Sequence, residues 1–282
     1  MSVPPGFFSA RDLPDDFLRL ASHILHSYST GLIKITFRPG AGEAAGLIGS
    51  GTFVSCNGCF GVLTVHHVSS LINEPCEIGF TLVEGAHRVS VDRQLVQVLD
   101  IARPRVLGYG PDLSFIRIPT ATASSISHYK HFYSLDCDRD EMLSTPPPPD
   151  SCVWFVCGVP DELTREDQPQ AGFLQVTSFH GLCGAGGADR FYEEGAFDYI
   201  DSIVEYTVDT DLPSTFGGIS GGGLWQVTYQ GNPTIGMTPR RYLLAGIPFA
   251  QSPLEDHRRS ITCHGTRSVY HNAFQAIKAA CA

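Results

Sequence analysis

GGISGGGLW, residues Gly217 to Trp225, sets one serine among five glycines and then resumes a strand-like run, LWQVTY. Glycine takes positive φ without penalty, so such clusters mark turns and close backbone approaches, and a serine inside one is ordinarily turn material. On a second reading the glycines let backbone amides and one hydroxyl converge on a single point. That reading requires a base, an orienting acid and an oxyanion pocket elsewhere in the chain.

Working outward, the run belongs to a chain of short apolar segments bounded by Gly, Pro, Asn and Asp. LIKITF, GLIGSGTFVS, FGVLTVHHV, EIGFTLV, HRVSVD, QLVQVLDI and LSFIRI read as strands of a first β unit over residues 31–120. CVWFVCGVP, GFLQVTSF, DSIVEYTV, GGGLWQVTY and RYLLAGIPFA read as a second over 151–282, which closes on a helix-compatible tail, SVYHNAFQAIKAACA. Residues 121–150 lose the pattern and end in four prolines, as a linker does. Residues 1–30 form an N-terminal extension in which Asp15 to Tyr28 has the spacing of an amphipathic helix. The expected fold class is all-β, in two units.

Composition narrows the function. The 282 residues carry a formal net charge of -10 with no basic stripe, which argues against a nucleic-acid partner. No apolar run reaches membrane-spanning length, and the start lacks the basic and apolar regions of a signal peptide. Nine scattered cysteines do not look like a disulfide framework. Cys56-Asn57-Gly58-Cys59 has no second CxxC to complete a zinc site, and Asn-Gly is a preferred hairpin turn, so the pair reads as reduced thiols flanking a turn. The expectation is a cytoplasmic protein in a reducing compartment, with no metal or organic cofactor.

A serine nucleophile needs an adjacent base, usually imidazole, and a third group to hold that imidazole's tautomer. His66 and His67 follow a strand-like run in GVLTVHHV. Asp112 stands between a Gly-Pro break and an apolar strand in GYGPDLSFIRI.

With these pieces the sequence resembles the chymotrypsin-like (trypsin-like) serine peptidases, especially their non-secreted bacterial members. LTVHHV resembles the histidine motif, DLSFIRI the aspartate motif and GGISGGGLW the serine motif, in that order and separated by 45 and 108 residues. The resemblance covers roughly residues 31–280. It implies two six-stranded antiparallel β-barrels and serine endopeptidase activity on polypeptide substrates. Ser220 would be the nucleophile, His67 the general base and Asp112 the orienting carboxylate, with the amides of Gly218 and Ser220 forming the oxyanion hole. In the motif the catalytic histidine precedes the closing Val, which selects His67 over His66.

Two positions depart from the family. Ile219 stands where secreted members carry the aspartate that pairs with a newly cut amino terminus, so activation by propeptide removal is not expected. Gly223 replaces the family's closing proline. For specificity, the resemblance puts Ser214 at the base of the primary pocket, Phe249 and Ala250 on one wall and Ser268 near the other. With no acid at the base, strict Lys/Arg preference is not expected; His264 and Arg267 near that wall would favour an acidic or amide side chain.

Three other readings stay open. GISGG also fits the nucleophile elbow of α/β-hydrolase esterases, with Asp256, His257, His264 and His271 as later partners, but the preceding chain lacks alternating strands and helices. A peptidase fold can serve as a non-catalytic peptide-recognition domain. A peptidase can also be held inactive until an activating protein or ligand orders its loops.

Overall fold

The structure is a computed structural model that describes residues 8, 12–38, 42–72, 76–82, 87–106, 109–166, 177–178, 181–206, 212–234 and 236–281. It is mostly β. Helix α1 (Asp15–Tyr28) comes first. Strands β1 (Ser29–Arg38), β2 (Gly42–Cys56), β3 (Cys59–Thr64), β4 (Glu77–Thr81), β5 (Arg88–Asp92), β6 (Gln97–Ala102) and β7 (Leu113–Arg117) form one sheet in the order β5-β4-β1-β2-β3-β7-β6. A short helix, α2 (His66–Ser69), leaves the end of β3.

This first sheet differs from the expected closed six-stranded barrel. It has eight strands, because a two-residue β8 (Tyr133–Ser134) adds to β2 in parallel. No ladder joins β5 to β6 among the described residues. The turn between them, Arg93–Leu95, is held elsewhere: the Arg93 amide donates to Cys76 O, and its guanidinium donates to Ile72 O and Val96 O.

Residues 121–150 are more than a linker. Helices α3 (Thr120–Ile126) and α4 (Leu135–Ser144) flank β8, and Ala123, Ile126, Tyr133, Leu135 and Met142 are buried. Their apolar residues are too few and too mixed with Ser, Thr and Asp to show a strand pattern.

The second unit is a closed barrel. Strand β9 (Cys152–Gly158) is followed by a two-stranded ladder, β10 (Arg165–Glu166) with β11 (Thr177–Ser178). Then come β12 (Leu182–Glu194), β13 (Phe197–Glu205), β14 (Gly223–Asn232), β15 (Gly236–Gln251) and β16 (Arg258–His264), closing in the order β12-β13-β16-β15-β14-β9. The expected strand at GFLQVTSF falls mostly outside the described residues. A π-helical turn (Ser268–Ala273) leads into α5 (Phe274–Cys281).

Both terminal helices are built into the core. Phe17, Ala21 and Leu25 make the buried stripe of α1, spaced four apart as one helix face requires. The Phe17 ring lies 6.4 Å from Phe155 in the second unit, and Tyr28 stacks 5.2 Å from Trp225. At the other end, Cys281 of α5 is disulfide-bonded to Cys59.

That bond corrects the reading of Cys59 as a reduced thiol. Asn57 (φ 49°) and Gly58 (φ 78°) do make the expected two-residue turn, with Cys56 and Cys59 facing each other across it. The partner of Cys59, however, is 222 residues away, where sequence spacing gives no hint of it. No helix among the described residues is long and apolar enough to cross a membrane.

Candidate active site

The site begins with a strand pair. β3 and β7 run antiparallel with Thr64 opposite Ser114. The chain leaving β3 and the chain entering β7 therefore meet at one sheet end. His67 lies three residues past Thr64, and Asp112 two before Ser114. Their side chains join: His67 Nδ1 lies 2.6 Å from Asp112 Oδ2, and the His67 amide donates to Asp112 Oδ1 at 3.1 Å. Asp112 is 0% exposed, while the His67 side chain keeps 26%. An ionised carboxylate accepts only, so Nδ1 carries the proton and Nε2 is left as a base.

Asp112 is held from below by His264. Its ring nitrogen Nε2 lies 3.0 Å from the Asp112 amide nitrogen and 2.8 Å from the Asp112 carbonyl oxygen, and serves one or the other according to tautomer. Burial drives the pKa of His264 down to about 4, so the ring is neutral at pH 7. It packs 4.8 Å from the Phe249 ring and 5.4 Å from Tyr199. His264 is thus a buried support under Asp112.

The serine loop is clamped to the first sheet by one residue, Ser50 of β2. The Ser50 amide donates to Ser220 O at 2.9 Å, its hydroxyl donates to Gly218 O at 2.7 Å, and that same hydroxyl accepts from the Val159 amide at 2.7 Å. The adjacent Gly49 marks how near the histidine segment comes. A Cβ there would stand 3.3 Å from Ser220 O and 2.5 Å from a methyl of Val68, the residue after His67. Ser220 and His67 thus belong to segments that converge on Gly49. Among the described residues, no hydrogen bond joins the Ser220 hydroxyl to the His67 ring.

Two peptide units in this loop are fixed by their carbonyls. Gly217 O accepts from the Asp161 amide, and Ile219 O accepts from the Gly222 amide, both at 2.8 Å. Across a trans peptide the N–H points opposite to the C=O. The N–H groups of Gly218 and Ser220 are thereby turned away from these contacts, and neither has an acceptor among the described residues. Gly218 has φ +88°, and a Cβ there would fall 2.6 Å from Val159 O and 2.7 Å from Asp161 Oδ1. Both the conformation and the space require glycine. Burial pushes the Asp161 carboxyl above the usual carboxylate range.

Beside Ser220 lies a pocket of 130 Å³ lined by Phe216, Ser220, Phe249, Ala250, Gln251 and Ile261, among others. Phe249 and Ala250, two of the five expected pocket residues, line it. The other three pocket candidates do not line it. Ser214 is exposed and bound through its amide and hydroxyl to Glu162. Ser268 is buried with its hydroxyl on Asp198, and His264 is under Asp112. Arg267 pairs with Glu193 at 2.9 Å.

Sequence reasoning missed Ser50 and the supporting role of His264. Ser50 had a signal in the Gly-Ser-Gly interruption of an otherwise apolar strand, GLIGSGTFVS. His66 is also paired: its Nδ1 lies 2.8 Å from Asp100 Oδ1 on β6. No hydrogen bond joins that pair to the Ser220 loop among the described residues. The serine run leads into strand β14 and not into a helix, unlike a nucleophile elbow. No family model matches the chain, and no curated protein matches it.

Proposed function

We propose that the chain is a serine endopeptidase of chymotrypsin-like type. The observation that carries this reading is the buried Asp112 holding the His67 ring at 2.6 Å, with two amides on the loop that bears Ser220 that have no acceptor among the described residues. In the proposed reaction Ser220 Oγ attacks the scissile carbonyl of a bound polypeptide while His67 Nε2 takes the hydroxyl proton. Asp112 stabilises the resulting imidazolium and stays ionised. The developing oxyanion is received by the N–H groups of Gly218 and Ser220, each worth about 3–4 kcal/mol in such sites. His67 then gives its proton to the leaving amine. Water repeats the sequence on the acyl-enzyme and releases Ser220.

The serine–histidine hydrogen bond belongs to the substrate-bound state in this scheme, since catalytic contacts are commonly long in an empty site. Ile219 is buried, and the loop is tied by Ser50, Asp161 and Gly222, so no ion pair with a new amino terminus is needed. The test is covalent labelling with a fluorophosphonate. Wild type should label on Ser220, and Ser220→Ala and His67→Ala should not. The absent Ser220–His67 bond favours a second reading, a recognition domain or an enzyme awaiting an activating partner. Folded wild-type protein that never labels would support that reading instead.

A further inference from the structure

One cation near the Ser220 pocket is unusual. Arg259 on β16 is only 9% exposed, and its guanidinium pairs with no carboxylate among the described residues. Buried arginines are rare without a paired anion, because an uncompensated charge in a low-dielectric interior is costly. Arg259 has just one hydrogen bond among the described residues, from Nη1 to Gln251 Oε1 at 2.6 Å, and its guanidinium lies 5.9 Å from the Tyr206 ring. Its buried Nε has no partner, and Nη2 makes no hydrogen bond among the described residues.

Its position relates it to the pocket. Ile261, two residues along the same strand and on the same buried face, lines the pocket, as does Gln251. Gln251 sits opposite Ile261 in the β15–β16 ladder and is held in place: its Oε1 also accepts from the Phe216 amide, and its Nε2 donates to Thr215 Oγ1. Arg259 therefore reaches the pocket through Gln251, the lining residue that binds its Nη1, and is not itself part of the lining. The acid within its electrostatic reach, Glu162, is already engaged. Hydrogen bonds from Ser214, then from Thr215, hold the Glu162 carboxyl below its usual range, with Arg259 contributing least.

We infer that Arg259 is the specificity-determining cation of the primary pocket, and that the enzyme cleaves after acidic residues. This rests on the peptidase reading above. A glutamate or aspartate side chain enters beside Ser220 along Phe249 and Ile261, and its carboxylate meets the Nε–Nη2 edge of the guanidinium. That edge donates to both oxygens of a carboxylate in parallel hydrogen bonds. Gln251 orients the fork by occupying Nη1. The cation that His264 and Arg267 were expected to provide is thus supplied by a residue on the pocket's inner strand.

The experiment uses the full-length protein and peptides that differ only at the residue before the scissile bond: Glu, Asp, Gln, Leu and Lys. Wild type should cleave after Glu or Asp with kcat/KM at least about 30-fold above the Gln peptide, since a site built for a charged group leaves its donors unpaired when that group is absent. Arg259→Gln should bring the Glu and Gln peptides to within about threefold of each other while fluorophosphonate still labels Ser220. Wild type that labels but cleaves best after Leu or Lys would overturn the acidic preference and leave the peptidase reading standing. An Arg259→Gln enzyme with the wild-type ranking would do the same. Wild type that neither labels nor cleaves would overturn the peptidase reading, and this inference with it. If Arg259→Gln does not fold, the wild-type Glu-to-Gln ratio decides alone.

Discussion

Two histidine–aspartate pairs sit at the end of the first sheet, built on adjacent histidines and closed at similar distances. His67 meets Asp112 at 2.6 Å, and His66 meets Asp100 at 2.8 Å. Their surroundings differ. Asp112 is sealed from water, and its backbone rests on buried His264, which in turn packs on the pocket residue Phe249. The Asp100 side chain is 25% exposed and shared among His66, Ser114 and the solvent-facing Arg103. Burial opposes its ionisation, but hydrogen bonds from His66, Arg103 and Ser114 outweigh this and hold its carboxyl below the usual range. A dyad's geometry is cheap to form; what separates the proposed catalytic pair from a surface clamp is the dry setting of its carboxylate.

The strongest way to break this contrast is to remove each imidazole in turn. His67→Ala should lower kcat by about 10⁶-fold, as loss of a triad base does elsewhere, whereas His66→Ala should cost less than about tenfold. Peptide hydrolysis under saturating substrate measures both. Equal losses would mean that adjacency and not burial sets the role. The carboxylates give the next effect. Asp112→Asn should cost about 10⁴-fold by favouring the wrong tautomer of His67, and Asp100→Asn no more than about threefold.

The support beneath Asp112 sharpens the contrast through pH. His264 stays neutral in the folded protein down to about pH 4, while an unfolded histidine takes up its proton near 6.5. The unfolded state therefore binds more protons in that window. The stability contribution of neutral His264 is complete above pH 6.5 and is lost as pH falls toward 4, by at most about 1.4 kcal/mol per pH unit. Urea unfolding of wild type and His264→Gln at pH 7, 5.5 and 4 should show a shallower acid slope in the variant. The smallest effect concerns Ser114, whose buried hydroxyl links Ser69 to Asp100. Ser114→Ala should lower stability by about 1 kcal/mol and leave kcat within about threefold. A loss of activity on the scale of Asp112→Asn would show that the two pairs are coupled.

How far the sequence carried this picture depended on whether a residue's partner was local. The α1 stripe, the Asn57-Gly58 turn and most strands of the first sheet follow from spacing alone. Asp112 and His67 were legible because each lies beside a strand end. β12 was not: its Gly184, Gly186 and Gly187 look like a loop, yet a Cβ on Gly186 would fall 2.5 Å from Ile203 O of the neighbouring strand. There glycine serves close approach and not turning. α4 was masked by its charged first turn, and β8 by its length of two residues. Ser50 is marked only by the Gly-Ser-Gly interruption of its strand, and Arg259 by no motif. Ser50 matters through contacts to residues 109 and 168 positions away, and Arg259 through a barrel register that a linear pattern does not encode.

The bond between Cys59 and Cys281 turns most of the chain into a covalent ring. A single cut at any peptide bond inside that ring opens the circle without freeing a piece. Nicked molecules would run as one band on a gel without reductant and as two with it. The protein could therefore carry an internal scar through size-based purification and still weigh as intact.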